Sequence, residues 1–174
     1  MRNFSIFCFL IILTKIAIGQ KTPKAGSITI GPKSIFIMND QKVKPSDLAK
    51  YNPDSVTTMI VLNDSFAIKL YGDSAKYGVC IIETRSFARS KFISFFRNSS
   101  KFYDSLITAI GSDSSFTYII NGKVQEGNYE GNLSAINEDA FLRLEILTKE
   151  QLYTKYRVND KQFGIQVYLK KSKN

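Results

Sequence analysis

Apolar and polar positions along this chain switch between a two-residue and a helical period, and the switches come twice in the same order. Val56 to Leu62 is a β-branched, apolar run bounded by turn residues, which predicts a strand. Asn63 and Asp64 then stand as caps before Phe66, Ala67, Leu70 and Tyr71, whose spacing places them on one helical face. Gly72 supplies the left-handed residue that ends such a helix. After a polar turn, Val79-Cys80-Ile81-Ile82 is short and wholly apolar, the pattern of a buried strand. Upstream, Ile35-Phe36-Ile37 and Val43 flank Asn39-Asp40, which predicts a hairpin. Pro45-Ser46-Asp47 opens a brief helix carrying Leu48 and Tyr51.

The second half repeats that order. Phe116 to Ile120 predicts a strand, Asn121-Gly122 a hairpin turn, and Leu133 to Ile136 answers the brief helix. Asn137-Glu138-Asp139 matches Asn52-Pro53-Asp54 at an offset of 85 residues, and Phe141 to Leu147 matches Val56 to Leu62. Thr148 and Gln151 form a capping box for a helix whose Leu152 and Tyr156 face the core. Tyr156 follows Leu147 by the same interval that separates Tyr71 from Leu62. Gly164-Ile165 matches Gly78-Val79 with one inserted residue. Arg157 stands where the first copy has Gly72 and is expected to be free of its left-handed constraint. The expectation is an α+β fold of two units, each a small mixed sheet with a β-hairpin and short helices.

Between the units, Thr84 to Tyr103 holds five basic residues and no acidic ones. Ala88, Phe92, Phe95 and Phe96 share one helical face, and Phe102 or Tyr103, Leu106 and Ile110 resume it after Asn98-Ser99-Ser100. A membrane-surface helix would mix basic and aromatic residues in this way, but its charges would be segregated. Arg89, Lys91 and Arg97 scatter around the wheel, which favours a helix packed on the sheets.

The first residues change the expected compartment. Arg2 precedes an apolar run from Ile6 to Leu13, and Ala17 and Gly19 precede Gln20 at the spacing of a signal-peptide cleavage site. An uncleaved membrane anchor is the alternative. The expected organisation is a signal peptide at 1–19, a flexible segment at 20–33, units at 34–85 and 112–174, and a helical linker at 86–111. Cleavage would lower the net charge from +9 to +7 by removing Arg2 and Lys15. It would also remove Cys8 and leave Cys80 alone, so no intramolecular disulfide forms and the core holds the fold unaided.

The side-chain inventory argues against an enzyme. There is no histidine, which removes the usual general base and the usual zinc ligand. Cys80 lies between Val79 and Ile81 and reads as a small core residue. Asp40, Asp54, Asp64, Asp73 and Asp160 stand at turns and caps, where local hydrogen bonding accounts for them. No phosphate loop, CxxC or calcium-loop pattern occurs, so no catalytic, cofactor or metal residue is expected.

Asn52-Pro53-Asp54 entering a strand, then Leu70-Tyr71-Gly72, then Gly78-Val79 leading to Ile82-Glu83-Thr84, resembles the plug domain of TonB-dependent outer-membrane receptors. The likeness covers Ile35 to Arg85 well and Phe116 to Lys170 loosely. It implies a plug-like fold in a protein exported to the periplasm or associated with the outer membrane of a Gram-negative bacterium. The chain departs from the receptors in being too short for a pore-sized barrel, so a free-standing, doubled plug-like protein is expected. Tyr71, Gly72 and Gly78, with Tyr156 and Gly164 in the second copy, match as fold-keeping positions and carry no ligand role. The expected function is a non-enzymatic envelope binding module with a protein or peptide partner and no nucleic acid. Peripheral membrane contact stays open, and the alternative is a basic binder of anionic lipid or polysaccharide, using the linker and the Lys170-Lys171-Ser172-Lys173 tail.

Overall fold

The computed structural model describes residues 30–62 and 64–171. The expected signal peptide, most of the segment 20–33, the cap residue Asn63 and the Ser172-Lys173 end of the tail lie outside them. A hairpin of β1 (Ile35–Met38) and β2 (Gln41–Val43) leads through 3₁₀ turns at Pro45–Lys50 and Pro53–Ser55 to β3 (Val56–Leu62). Then come α1 (Asp64–Tyr71), a 3₁₀ turn at Asp73–Tyr77, and β4 (Val79–Thr84). Helix α2 (Arg85–Ser99) follows β4 directly, and α3 (Lys101–Ile110) follows after Ser100. The remaining elements are β5 (Phe116–Ile120), β6 (Lys123–Val124), α4 (Tyr129–Ser134), β7 (Phe141–Leu147), α5 (Lys149–Tyr156) and β8 (Phe163–Leu169).

The strands make two four-stranded sheets of the same order, β2-β1-β4-β3 and β6-β5-β8-β7. In each, the hairpin strand runs parallel to the last strand and all other pairs are antiparallel. The architecture is α+β with two mixed sheets.

Register shows how closely the sheets correspond. Leu62 pairs with Val79 and Leu147 with Gly164, and both ladders slip one residue after their first pair, at Val56/Thr58 and Phe141/Arg143. Every partner in the second ladder is offset by 85 residues from the first. Gly164 therefore stands where Val79 does, and Phe163 stands where Gly78 does. The inserted residue expected from matching Gly164 to Gly78 is absent: the glycines are not equivalent.

The hairpin turns serve as clasps. Asn39 and Asp40 adopt φ of 50° and 62°, and Asn121 and Gly122 adopt 47° and 82°, the left-handed pair that a two-residue hairpin needs. Asn39 Oδ1 accepts the Thr84 N–H at 2.9 Å, and Asn121 Oδ1 accepts the Leu169 N–H at 2.9 Å. Each asparagine N–H also donates to the last strand, to Ile82 O and Val167 O. An asparagine is needed in each turn because glycine could not make the side-chain bond.

The helical stretch is the centre of the main core. Phe92, Phe96, Tyr103 and Ile107 are buried against Phe116, Tyr118, Ile165 and Val167 of the second sheet. Phe92 meets Tyr118 edge-on at 5.1 Å, and Phe96 meets Tyr103 at 5.7 Å. Such pairs add about 0.5–1.5 kcal/mol beyond their buried area. Ala88 is buried, Phe95 is half-buried, and Tyr103 rather than Phe102 carries the face onward. Thr84 and Ser100 cap the two helices by accepting the N–H groups of Phe87 and Tyr103. The brief second helix comes earlier than the Leu133–Ile136 pattern indicated, at Tyr129–Ser134. Val61 and Ile146 do occupy matching places, but both are half-buried at outer strands and neither is a central core residue.

Candidate interaction surface

Side chains singled out by pattern fall into three settings. Gly72 has φ 75° and ψ −173°, a region open in practice to glycine alone, and its N–H closes α1 on Ile68 O at 2.8 Å. Gly78 has φ 88°, and a Cβ there would lie 3.5 Å from Leu62 O. Gly164 needs its bareness for packing, beneath Leu152. Tyr156 is half-buried against the cluster of Ile119, Leu147 and Leu152, whereas Tyr71 is exposed at the end of α1. The structure does not gather these five residues into a site.

Helix α1 departs furthest from its pattern. Of its apolar residues only Ala67 is buried, at 0% exposure, packed with Ile35, Ala75 and Val79. Phe66 and Leu70 keep 58% and 55% exposure, and Ile68 and Tyr71 are also exposed. The helix is held close to the sheet by an alanine, so its larger side chains flank the contact instead of entering it. On neighbouring β3, Met59 and Ile60 are 60% and 47% exposed on opposite faces.

The second sheet provides an internal comparison. At the register offset of 85, Phe66 and Leu70 correspond to Gln151 and Lys155, and Ile60 corresponds to Glu145. Glu145 pairs with Arg143 and accepts the Tyr168 hydroxyl at 3.0 Å, while the Arg143 guanidinium lies 3.7 Å over the Tyr168 ring. At these three positions the second unit carries charge and amide where the first carries hydrocarbon, although Tyr153 of α5 is itself exposed. The sequence held this contrast at aligned positions.

The basic stretch has little charge free. Arg85 pairs with Glu130 at 3.0 Å, Lys91 with Glu83 at 2.7 Å and Arg97 with Asp104 at 2.6 Å, and Arg89 pairs with buried Asp113. Arg89 also donates to the Tyr129 hydroxyl at 2.9 Å. Burial opposes its charge, and Asp113 with the tyrosine oxygens outweighs that cost, raising its pKa. Four of the five basic residues are thus held in ion pairs that fasten α2 to its surroundings.

Ser134, Glu83 and Lys91 form the arrangement nearest to a catalytic group. Glu83 accepts from Lys91 Nζ at 2.7 Å and from Ser134 Oγ at 3.1 Å. Both donors aim at the carboxylate, so no lysine is set to take the serine proton. The cluster joins β4 to α4; Arg85–Glu130 joins α2 to α4, and the Asn128 Nδ2 donation to Thr57 O at 2.7 Å ties β3 to the start of α4. Beside it, an open cleft of about 240 Å³ is floored by Phe92, Phe95 and Ile136. Small-molecule sites are commonly ~300–1,000 Å³. Cys80 is buried in the first sheet, and burial pushes its thiol pKa up, away from nucleophilic use. No cluster of potential metal ligands occurs among the described residues.

No helix among the described residues is long and apolar enough to cross a membrane. No family model, no curated protein and no solved structure matches this chain.

Proposed function

We propose that this chain is a non-enzymatic binding module of the cell envelope, built on a doubled plug-like unit. The reading places it in the periplasm or at the outer membrane after export. Its partner docks on the first unit, over α1 and β3. One observation carries this: Phe66, Leu70 and Ile60 are exposed where the second unit has Gln151, Lys155 and Glu145. Where one unit meets water with polar groups, the hydrocarbon on the other is best accounted for by a partner that covers it. β3 is also an outer strand, so strand addition is available to an extended segment.

The alternative, adhesion to anionic lipid or polysaccharide, is disfavoured by the pairing of Arg85, Arg89, Lys91 and Arg97. A surface binder needs those cations for its ligand.

Salt and a paired substitution test the reading. Immobilised protein is exposed to envelope extract alongside a Phe66→Gln/Leu70→Lys variant that copies α5. Proteins retained by the parent at high salt and lost from the variant are the expected result. Retention that collapses with salt, or that ignores the substitution, overturns it.

A further inference from the structure

Among the described residues, the most exposed apolar strand is also an unguarded sheet edge. β3 is the outer strand of the first sheet. Among the described residues its outer edge is engaged only near its start, where Asn128 Nδ2 donates to Thr57 O and Gly131 lies against Thr58. Met59 to Leu62 pair with β4 on one side and with nothing described on the other. The strand reads Val-Thr-Thr-Met-Ile-Val-Leu, with no charge and no proline.

Outer strands of natural sheets are commonly blunted by charge, by proline, or by a covering element. β7, the corresponding strand, follows that rule: Arg143 and Glu145 stand at the places of Thr58 and Ile60 and pair with each other. β3 lacks this guard although it shares the ladder, the slip and the position in its sheet.

Resting on the proposed function, we propose that the strand received by β3 is β3 of a second copy. The two would run antiparallel about a two-fold axis and join the four-stranded sheets into one continuous sheet across the dimer. An uncharged strand is self-complementary in this arrangement, since each copy presents the same free N–H and C=O groups to the other. Charge permits it: residues 30–84 hold six basic and six acidic side chains, so the net positive charge lies outside the unit that would meet its copy. These side chains add area as well: Met59, Ile60, Phe66 and Leu70 expose roughly 420 Å² per copy, about 840 Å² for a pair, and the paired strand edges add backbone area toward the ~1,000 Å² that a specific interface needs. Backbone pairing would extend from Met59 to Leu62, clear of α4.

Sedimentation velocity of the purified full chain over a wide concentration range decides the matter, together with hydrogen exchange at both extremes. Expected is a monomer–dimer equilibrium, with the Met59–Leu62 amides exchanging more slowly in the dimer. Ile60→Glu, which installs the residue of the second unit, should weaken association by roughly tenfold or more through like charges across the two-fold. Leu142→Glu, at an exposed site on β7, should leave association unchanged. Should Ile60→Glu fail to fold, Phe66→Gln/Leu70→Lys serves as the second variant, because α5 already tolerates both residues. A monomer at every concentration overturns the proposal, as does a dimer indifferent to both variants. A monomer that still retains envelope proteins through Phe66 and Leu70 overturns self-pairing alone and leaves the binding role intact.

Discussion

Leu152 fills the space that a side chain on Gly164 would need: its Cδ1 lies 3.0 Å from the position of a Cβ there. Leu147 Cβ and Ile119 Cδ1 close the same spot at 3.2 and 3.3 Å. In the first sheet the sizes are exchanged. Ala67 stands in the place of Leu152 and Val79 in the place of Gly164, and both are fully buried. One helix–strand contact is thus built twice, once with bulk on the strand and once with bulk on the helix.

This exchange makes a coupled prediction. Gly164→Val should destabilise by about 1–3 kcal/mol or more, because three neighbours would have to move. Leu152→Ala should cost about 2–5 kcal/mol as a cavity substitution. Combined as Leu152→Ala/Gly164→Val, the second sheet takes the pair found in the first, and the total should fall well below the sum of the separate losses. Denaturant unfolding of the four proteins in the cycle measures the coupling. Strict additivity would show that the two contacts are not exchanged forms of one another.

Local chemistry made much of the fold legible. The hairpins follow from Asn39-Asp40 and Asn121-Gly122, and the start of α5 from Thr148 and Gln151, whose reciprocal capping bonds are present. Each of these features is decided within a few residues. The orientation of α1 was not legible, since Phe66, Leu70 and Tyr71 look the same to a helical wheel whether a core or a partner covers them. Nor was the neutralisation of the basic helix, because Glu83, Asp113 and Glu130 come from other elements. The candidate surface was visible only through comparison of the two halves at the correct register. The glycine match had obscured that register.

Helix ends give a second prediction. Arg157 adopts φ 60° and ψ 21°, so it is left-handed despite its side chain, and the freedom expected for it from sequence is not found. Its N–H bonds to Tyr153 O at 2.9 Å, as that of Gly72 does to Ile68 O. Arg157→Gly should therefore be neutral or stabilise by up to about 1 kcal/mol, since glycine adopts this conformation without strain. Gly72→Val should destabilise by roughly 1–3 kcal/mol. Thermal unfolding of both variants provides the check. A clear loss on Arg157→Gly would mean that the guanidinium, 5.4 Å over the Tyr153 ring, matters more than the backbone.

The last prediction concerns alkaline pH. Tyr103 is fully buried, and its hydroxyl lies 3.0 Å from that of Tyr118, which donates to Asp113 Oδ2 at 3.1 Å. Burial pushes the Tyr103 pKa up to about 12, although its contact with the Tyr118 hydroxyl pulls the other way. Tyr118 is raised as well, first by burial and then by the charge that Tyr103 would carry. A tyrosine ionises near pH 10 when unfolded. The unfolded chain therefore loses these protons first, and the stability they contribute is full below about pH 10 and falls as the pH rises toward 12. Tyrosinate absorbance followed alongside circular dichroism should show at least two of the nine tyrosines ionising only as the fold is lost. Tyr103→Phe should flatten the dependence of stability on pH above 10, even if it lowers stability at neutral pH. Complete ionisation near pH 10 with native dichroism retained would show that the Tyr103–Tyr118–Asp113 chain is open to water.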